Sequence, residues 1–437
     1  MKGRSTIAVL AAAVAVGAAW PWFAAHKAQA TTIAPAPVSA DYKQRDRVIA
    51  FYEEQVRRDR LDQITQRMLG AEYLQRFRET GDMNDVTRAH AMGEQSLRLQ
   101  PQGNVAALGI IASSDLAFHR FVPALAAERA AIEAEPFDQN ARAQSASILM
   151  ELGRYDRAAG ILLGPSGPDP NPTWMSIRAR YRELSGELAG ARDEMSRATQ
   201  MVDRMETVPA YTRSWYHMRD AQLAFEAGDA QTADAEFTES LRIFPDNAMA
   251  LLYQAKFYRA HGDWKRALSA AAHSAQLYPL PQALGYQADA QRALGDEDGA
   301  RKTDALIRAE QRLFNVQGVN DRLLAMYYAE HHEYLTDALA AARSDLQKRG
   351  DEIYADDTMA WVLAAMGRWP EARAYAERAV RYGTQDPEIQ YHAGAIALHT
   401  GYDGEARARL RAALNADASF HPFYAEDARK MLASLGS

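Results

Sequence analysis

From Arg45 onward, apolar side chains recur at intervals of three and four along the chain. Ala, Leu, Glu, Arg and Gln dominate between them, and all favour helix. No run of alternating β-branched residues competes with this period. Short breaks carrying Gly or Pro interrupt the pattern every dozen or so residues. The chain therefore predicts a succession of amphipathic helices joined by short turns.

The breaks resemble one another. ELGRYDRAAGIL at 151, LSGELAGARDEM at 184, EAGDAQTADAEF at 226, AHGDWKRALSAA at 260, ALGDEDGARKTD at 293, AMGRWPEARAYA at 365 and HTGYDGEARARL at 399 each place Gly, four mixed residues, then Ala. Those alanines are Ala89, Ala124, Ala158, Ala191, Ala233, Ala267, Ala300, Ala338, Ala372 and Ala406, spaced 35, 34, 33, 42, 34, 33, 38, 34 and 34. The long interval holds an eight-residue insertion near Met205–Arg213. Twelve residues before the alanine stands another small residue (Ala112, Ala146, Ala179, Ala221, Ala255, Ala288, Ala360, Gly394), with Ala325 one position out of step. Twelve residues after it comes proline at Pro101, Pro136, Pro170, Pro245 and Pro279. Small residues let two antiparallel helices approach closely. Gly ends the first helix in a left-handed conformation. Proline stops the second.

A helix–turn–helix unit repeating every 34 residues resembles the tetratricopeptide-repeat superfamily. The resemblance covers the chain from Arg45 to its end. It implies an all-α, right-handed superhelical solenoid of about nine to ten helix pairs, closed by a capping helix over Tyr424–Leu435. The expected organisation is N-terminal units over 45–204 and C-terminal units with the cap over 205–437. In the C-terminal half, residues 278–296, 315–332, 354–369, 391–401 and 420–432 also look like secreted bacterial proteins built from these repeats. That likeness implies a fold and an exported location, not a reaction.

Residues 1–30 read differently. Lys2 and Arg4 precede an uncharged apolar run, Thr6 to Trp20, and Ala28-Gln29-Ala30 is a small-x-small cleavage pattern. This order is a secretory signal peptide cleaved after Ala30, with 31–44 as a flexible leader. The expected location is periplasmic or secreted; an uncleaved inner-membrane anchor is the alternative. The whole chain carries a net charge of −7, which argues against nucleic acid as a partner. It has no cysteine, so thiol nucleophiles, thiolate metal sites and lipid attachment through cysteine are excluded.

The first helix of each pair is expected to line a concave groove. Its candidate contacts are Trp215, Met218 and Phe225; Lys256 and Arg259; Arg322 and Met326; Tyr354, Asp357 and Trp361; and Tyr391 and His399. Tyr354, Asp357 and Trp361 share one helical face. An aromatic groove with a few charges suits a protein or peptide partner. Packing against the next pair is the competing reading for these rings.

Motifs for chemistry are sparse. No Walker loop, GxGxxG, G-x-S-x-G or HExxH is present. His331 and His332 are adjacent and diverge on a helix or turn. His392 and His399 lack a third ligand. The sequence thus predicts a non-catalytic exported scaffold without a cofactor. The alternatives are an accessory factor for an envelope metalloprotein or transport system, using His331, His332 and His399, or a glycan-binding protein of polysaccharide export.

Overall fold

A computed structural model describes residues 40–164, 170–317 and 322–436, with side chains left aside at 311–317. The expected signal peptide, 1–30, and residues 31–39 of the expected leader lie outside these residues.

A helix over Arg45–Arg58 is followed by ten helix pairs. In order they are Gln63–Thr80 with Met83–Leu99, Val105–Ala117 with Phe121–Ala134, Gln139–Glu151 with Tyr155–Leu162, and Pro172–Leu184 with Leu188–Asp203. Next come Ala210–Glu226 with Ala230–Ile243, Ala248–Ala260 with Trp264–Leu277, and Pro281–Ala293 with Glu297–Gln317. The last three are Arg322–Glu330 with Leu335–Arg349, Ile353–Ala365 with Trp369–Ala379, and Pro387–His399 with Asp403–Ala416. The helix Tyr424–Ser434 ends the array. Its Glu426, Arg429 and Lys430 face solvent while Tyr424, Ala425 and Ala428 are buried. Among the described residues, no helix is long and apolar enough to cross a membrane.

The landmark residues do what their size allows. Every one of the ten repeat alanines is at most 1% exposed. Gly394 is the extreme case, since a Cβ there would sit 2.9 Å from Leu410 Cγ. The turn glycines 153, 186, 228, 262, 295, 367 and 401 have φ between 66° and 83°. Many first helices begin on a carboxylate or amide that accepts the free N–H groups of the first turn: Asp62, Asn104, Asn247, Glu352 and Asp386.

Two pairs lack the turn glycine, and histidine takes its place. His119 has φ 55° and His332 φ 54°. The left-handed region costs a non-glycine residue roughly 1–2 kcal/mol. His119→Gly is therefore expected to stabilise by about 0.5–1 kcal/mol, once the extra chain entropy of glycine is deducted. A thermal melt checks this; an unchanged or lowered midpoint contradicts it.

One repeat feature escaped the sequence reading. Seven residues after the alanine, Ser96, Ser240 and Ser274 are completely buried. Ser96 Oγ donates to Gln63 O and Ser274 Oγ to Ala248 O, both at 2.8 Å, tying the end of the second helix to the start of the first.

The described residues form two compact units. One gathers the chain up to Leu149 with 156–178 and 196–216; the other gathers Met150–Tyr155, Ala179–Met195 and His217 onward. In the first, Arg45 is 8% exposed and held by Asp41, Glu72 and Glu79. In the second, the turn of the third pair lies against the loop after the eighth: a Cβ on Gly153 would overlap the backbone of Asp351. The same relation joins Gly186 to Gly383 and Gly228 to Ala416, one pair further each time. Glu151 pairs with Arg349, and Tyr155 Oη accepts from the Ile353 N–H at 3.1 Å, both across 198 residues of sequence. Gln385 Nε2 donates to Gly186 O at 2.8 Å across 199 residues. The helix pairs of this unit thus turn back onto one another.

Candidate interaction site

This return brings the inner-facing side chains of the second unit together. Lys256 Nζ lies 2.9 Å from Glu388 Oε1. Burial opposes its charge, but the Glu388 carboxylate holds the ammonium well above its ordinary pKa. Arg259, 1% exposed, donates from Nε to Asp289 at 2.9 Å and pairs with Glu330. Its guanidinium also approaches His421 Nε2 at 2.9 Å and lies over the Tyr286 and Phe423 rings. Burial pushes the His421 imidazole below its ordinary pKa, against the pull of Glu330. On neighbouring helices, Glu183 accepts from Arg180 and from Arg219 at 2.7 Å. The two guanidiniums overcome burial and keep this carboxyl below the usual range. Glu226 has the opposite balance: burial, then Glu183 and Asp386, push its carboxyl well up.

The expected groove residues are distributed over this interior. Phe225 and Lys256 line one cavity. Tyr354 lies beneath the guanidiniums of Arg180 at 5.0 Å and Arg322 at 5.5 Å, and Arg322 donates to Glu352 at 2.9 Å. Asp357 accepts from His392 Nδ1 at 3.0 Å, and Trp361 stacks on the same His392 ring at 4.2 Å. Trp361 Nε1 donates to Tyr424 Oη at 2.9 Å, and Tyr391 stacks on Tyr424 at 4.5 Å. Met218, Arg259, Asp357 and Tyr391 were expected to face a partner and are instead buried by the chain's own side chains. The inner faces pack on each other here, so these positions serve the fold. Trp215 and Met326 are half-buried elsewhere, and His399 is exposed and stacks on Trp369 at 3.8 Å.

Sequence reasoning missed Arg180, Glu183, Glu226, Asp386, Glu388 and His421. Each reads in isolation as an ordinary helix-surface charge, or, for His421, as part of the cap. Their inward direction depends on the return of the chain.

The cavity holds about 40 Å³, room for a few water molecules. Phe225, Phe237, Tyr253 and Phe420 supply its apolar wall. Glu226, Asp386, Glu388 and Asp417 supply carboxylates, and Lys256 the single cation. Among the described residues, three potential metal ligands converge only at Asp289, Glu330 and His331. The Arg259 guanidinium already lies 2.7 Å from Asp289 and against Glu330, so its fixed positive charge opposes an ion there. His332 takes a left-handed turn conformation, and His399 lies on its own helix against Trp369.

No protein-family model matches the chain, and no curated protein does. Solved structures similar to it include yeast Tom70, at 13% identity, covering 90% of this chain and 93% of that one, with a TM-score of 0.34. Another is a tetratricopeptide repeat protein from Parabacteroides merdae ATCC 43184, at 14% identity, covering 61% and 99%, also with a TM-score of 0.34. The ground for the fold is internal to the chain: a 34-residue period, small residues buried at both landmark positions and left-handed turn glycines. The described chain is an all-α array of antiparallel helix pairs with the tetratricopeptide-repeat fold.

Proposed function

We propose that the protein is an exported, non-catalytic interaction scaffold, and that a protein partner docks over the mouth of the small cavity in its second unit. The observation that supports this reading is the cavity between Phe225, Tyr253 and Lys256, where first-helix side chains meet polar and aromatic groups from the C-terminal repeats. Helix-pair arrays present preformed surfaces, and rigidity lowers the entropy cost of capture. Export rests on the charged, apolar and small-residue order of residues 1–30.

A photo-crosslinking side chain at Tyr253, compared with one at exposed Lys265, tests the reading in intact cells. A discrete protein adduct from Tyr253 and none from Lys265 is expected. Equal labelling from both positions contradicts an inner-face site. The mass of the same purified chain is expected to begin at Thr31; a chain retaining Met1 contradicts cleavage after Ala30.

A further inference from the structure

We propose that residues 417–424 are an internal ligand of the second unit, seated on the inner surface that a partner uses, and that the partner displaces them with a peptide segment of the same chemistry: an apolar ring, an imidazole, a second ring and a phenol. The inference rests on the docking reading above and names what docks.

A capping helix has only to cover the last repeat. Ala425 and Ala428 do that, packing with Tyr391, Leu410 and Ala413 of the tenth pair. The residues just before them reach much further. Ala416 O and Asp417 Cα lie against the turn of the fifth pair, 2.6 and 3.7 Å from where a Cβ on Gly228 would stand. Phe420, 2% exposed, lines the cavity with Phe225 and Phe237 of the fifth pair and Tyr253 of the sixth. His421 meets Arg259 of the sixth pair at 2.9 Å and Glu330 of the eighth at 3.2 Å. Phe423 lies against the Arg259 guanidinium at 5.2 Å. Tyr424 Oη accepts from Trp361 of the ninth pair at 2.9 Å, and its ring stacks on Tyr391 of the tenth. Capping explains none of the contacts to the fifth, sixth and eighth pairs. They are the contacts of a bound peptide, with rings in apolar seats and polar atoms answered from several repeats.

The seat is also imperfect, which a permanent core avoids. Asp417 is 9% exposed, and its Oδ2 has no hydrogen bond. His421 Nδ1 accepts from the Phe423 and Tyr424 N–H groups, both at 3.3 Å, so the neutral ring carries its proton on Nε2. That proton goes to Glu330 Oε1. The Arg259 Nη1 donor then faces a second donor at 2.9 Å. Phe423 leaves 43% of its surface exposed. A segment held by mismatched polar contacts is one that a better-matched segment can replace, and occupancy by the chain's own residues lowers the apparent affinity for any competitor.

Fluorescence anisotropy with a labelled, end-blocked peptide of sequence 417–424 tests the proposal on the full chain. Tyr424→Ala removes the stack on Tyr391 and the hydrogen bond from Trp361, which weakens the internal segment. It is expected to bind the peptide about tenfold or more tighter than the unaltered chain. The same peptide with alanine in place of its histidine is expected not to bind. Circular dichroism establishes that the variant is folded, and Phe423→Ala decides if Tyr424→Ala is not. A folded variant that binds no tighter than the unaltered chain, or equal binding of the alanine peptide, overturns the proposal. Hydrogen exchange in the unaltered chain needs no variant. The Tyr424 amide is expected to exchange well before the amides of the Pro387–His399 helix, and equal protection overturns a displaceable segment. Dimers that form as the segment leaves assign the surface to a second copy and overturn the peptide partner. A specific Tyr253 adduct in cells without peptide binding removes the internal ligand and leaves the docking site. Peptide binding without an adduct keeps the displaceable segment and removes the docking reading.

Discussion

Replacing Arg259 with leucine is expected to cost about 3–5 kcal/mol of folding free energy, the usual penalty for stranding one half of a buried ion pair. Arg259 is 1% exposed and answers Asp289 and Glu330 together, with its ring contacts to Tyr286 and Phe423. Leucine fills part of the volume and leaves both carboxylates without their counter-charge. Arg259→Lys keeps the charge and loses the planar fork that serves both acids, so an intermediate loss is expected. Adding Asp289→Asn and Glu330→Gln to the leucine variant is expected to restore much of the stability, because the stranded charges are then gone. Urea unfolding followed by circular dichroism reads all four chains. A loss below about 1 kcal/mol for Arg259→Leu contradicts the buried cluster.

The second large effect separates local backbone strain from contact between distant repeats. Gly186 and Gly262 occupy the same place in their pairs and have similar φ, 83° and 72°. A Cβ on Gly262 meets nothing within 4 Å, whereas one on Gly186 falls on the Gly383 carbonyl oxygen. Both alanine variants carry the left-handed strain of roughly 1–2 kcal/mol. Gly186→Ala also pushes backbone against backbone, adding about 1–3 kcal/mol by overpacking. Its melting midpoint is therefore expected well below that of Gly262→Ala. Equal midpoints contradict direct packing of the fourth pair's turn on the loop after the ninth pair.

Much of the fold was legible because its causes are local. Ala267 and Ala372 are small because a facing helix lies against them, and both are fully buried. Gly367 and Gly401 sit where left-handed φ is required. The final helix over Tyr424–Ser434 stands where the capping helix is expected. The site was less legible. Arg259 and Asp357 were expected to face a partner, yet they are buried against His421, Glu330 and His392, which lie in other repeats. Which repeats meet depends on the small rotation between successive pairs, summed over about 200 residues. No spacing within one repeat encodes that sum. Phe225 and Lys256 were legible as inner-face residues; the four carboxylates that surround them were not.

The second unit folds back so that repeats about 200 residues apart touch. The chain has no cysteine, so a pair introduced at exposed Glu187 and Gln385 is the only reactive pair present. Gln385 already reaches the carbonyl of Gly186 at 2.8 Å. A short thiol-to-thiol crosslinker is expected to join Glu187→Cys and Gln385→Cys within one chain rapidly and almost completely, while Glu187→Cys with Lys265→Cys stays open. Crosslinking of the first pair no faster than the second, or only between chains, contradicts the closed inner face.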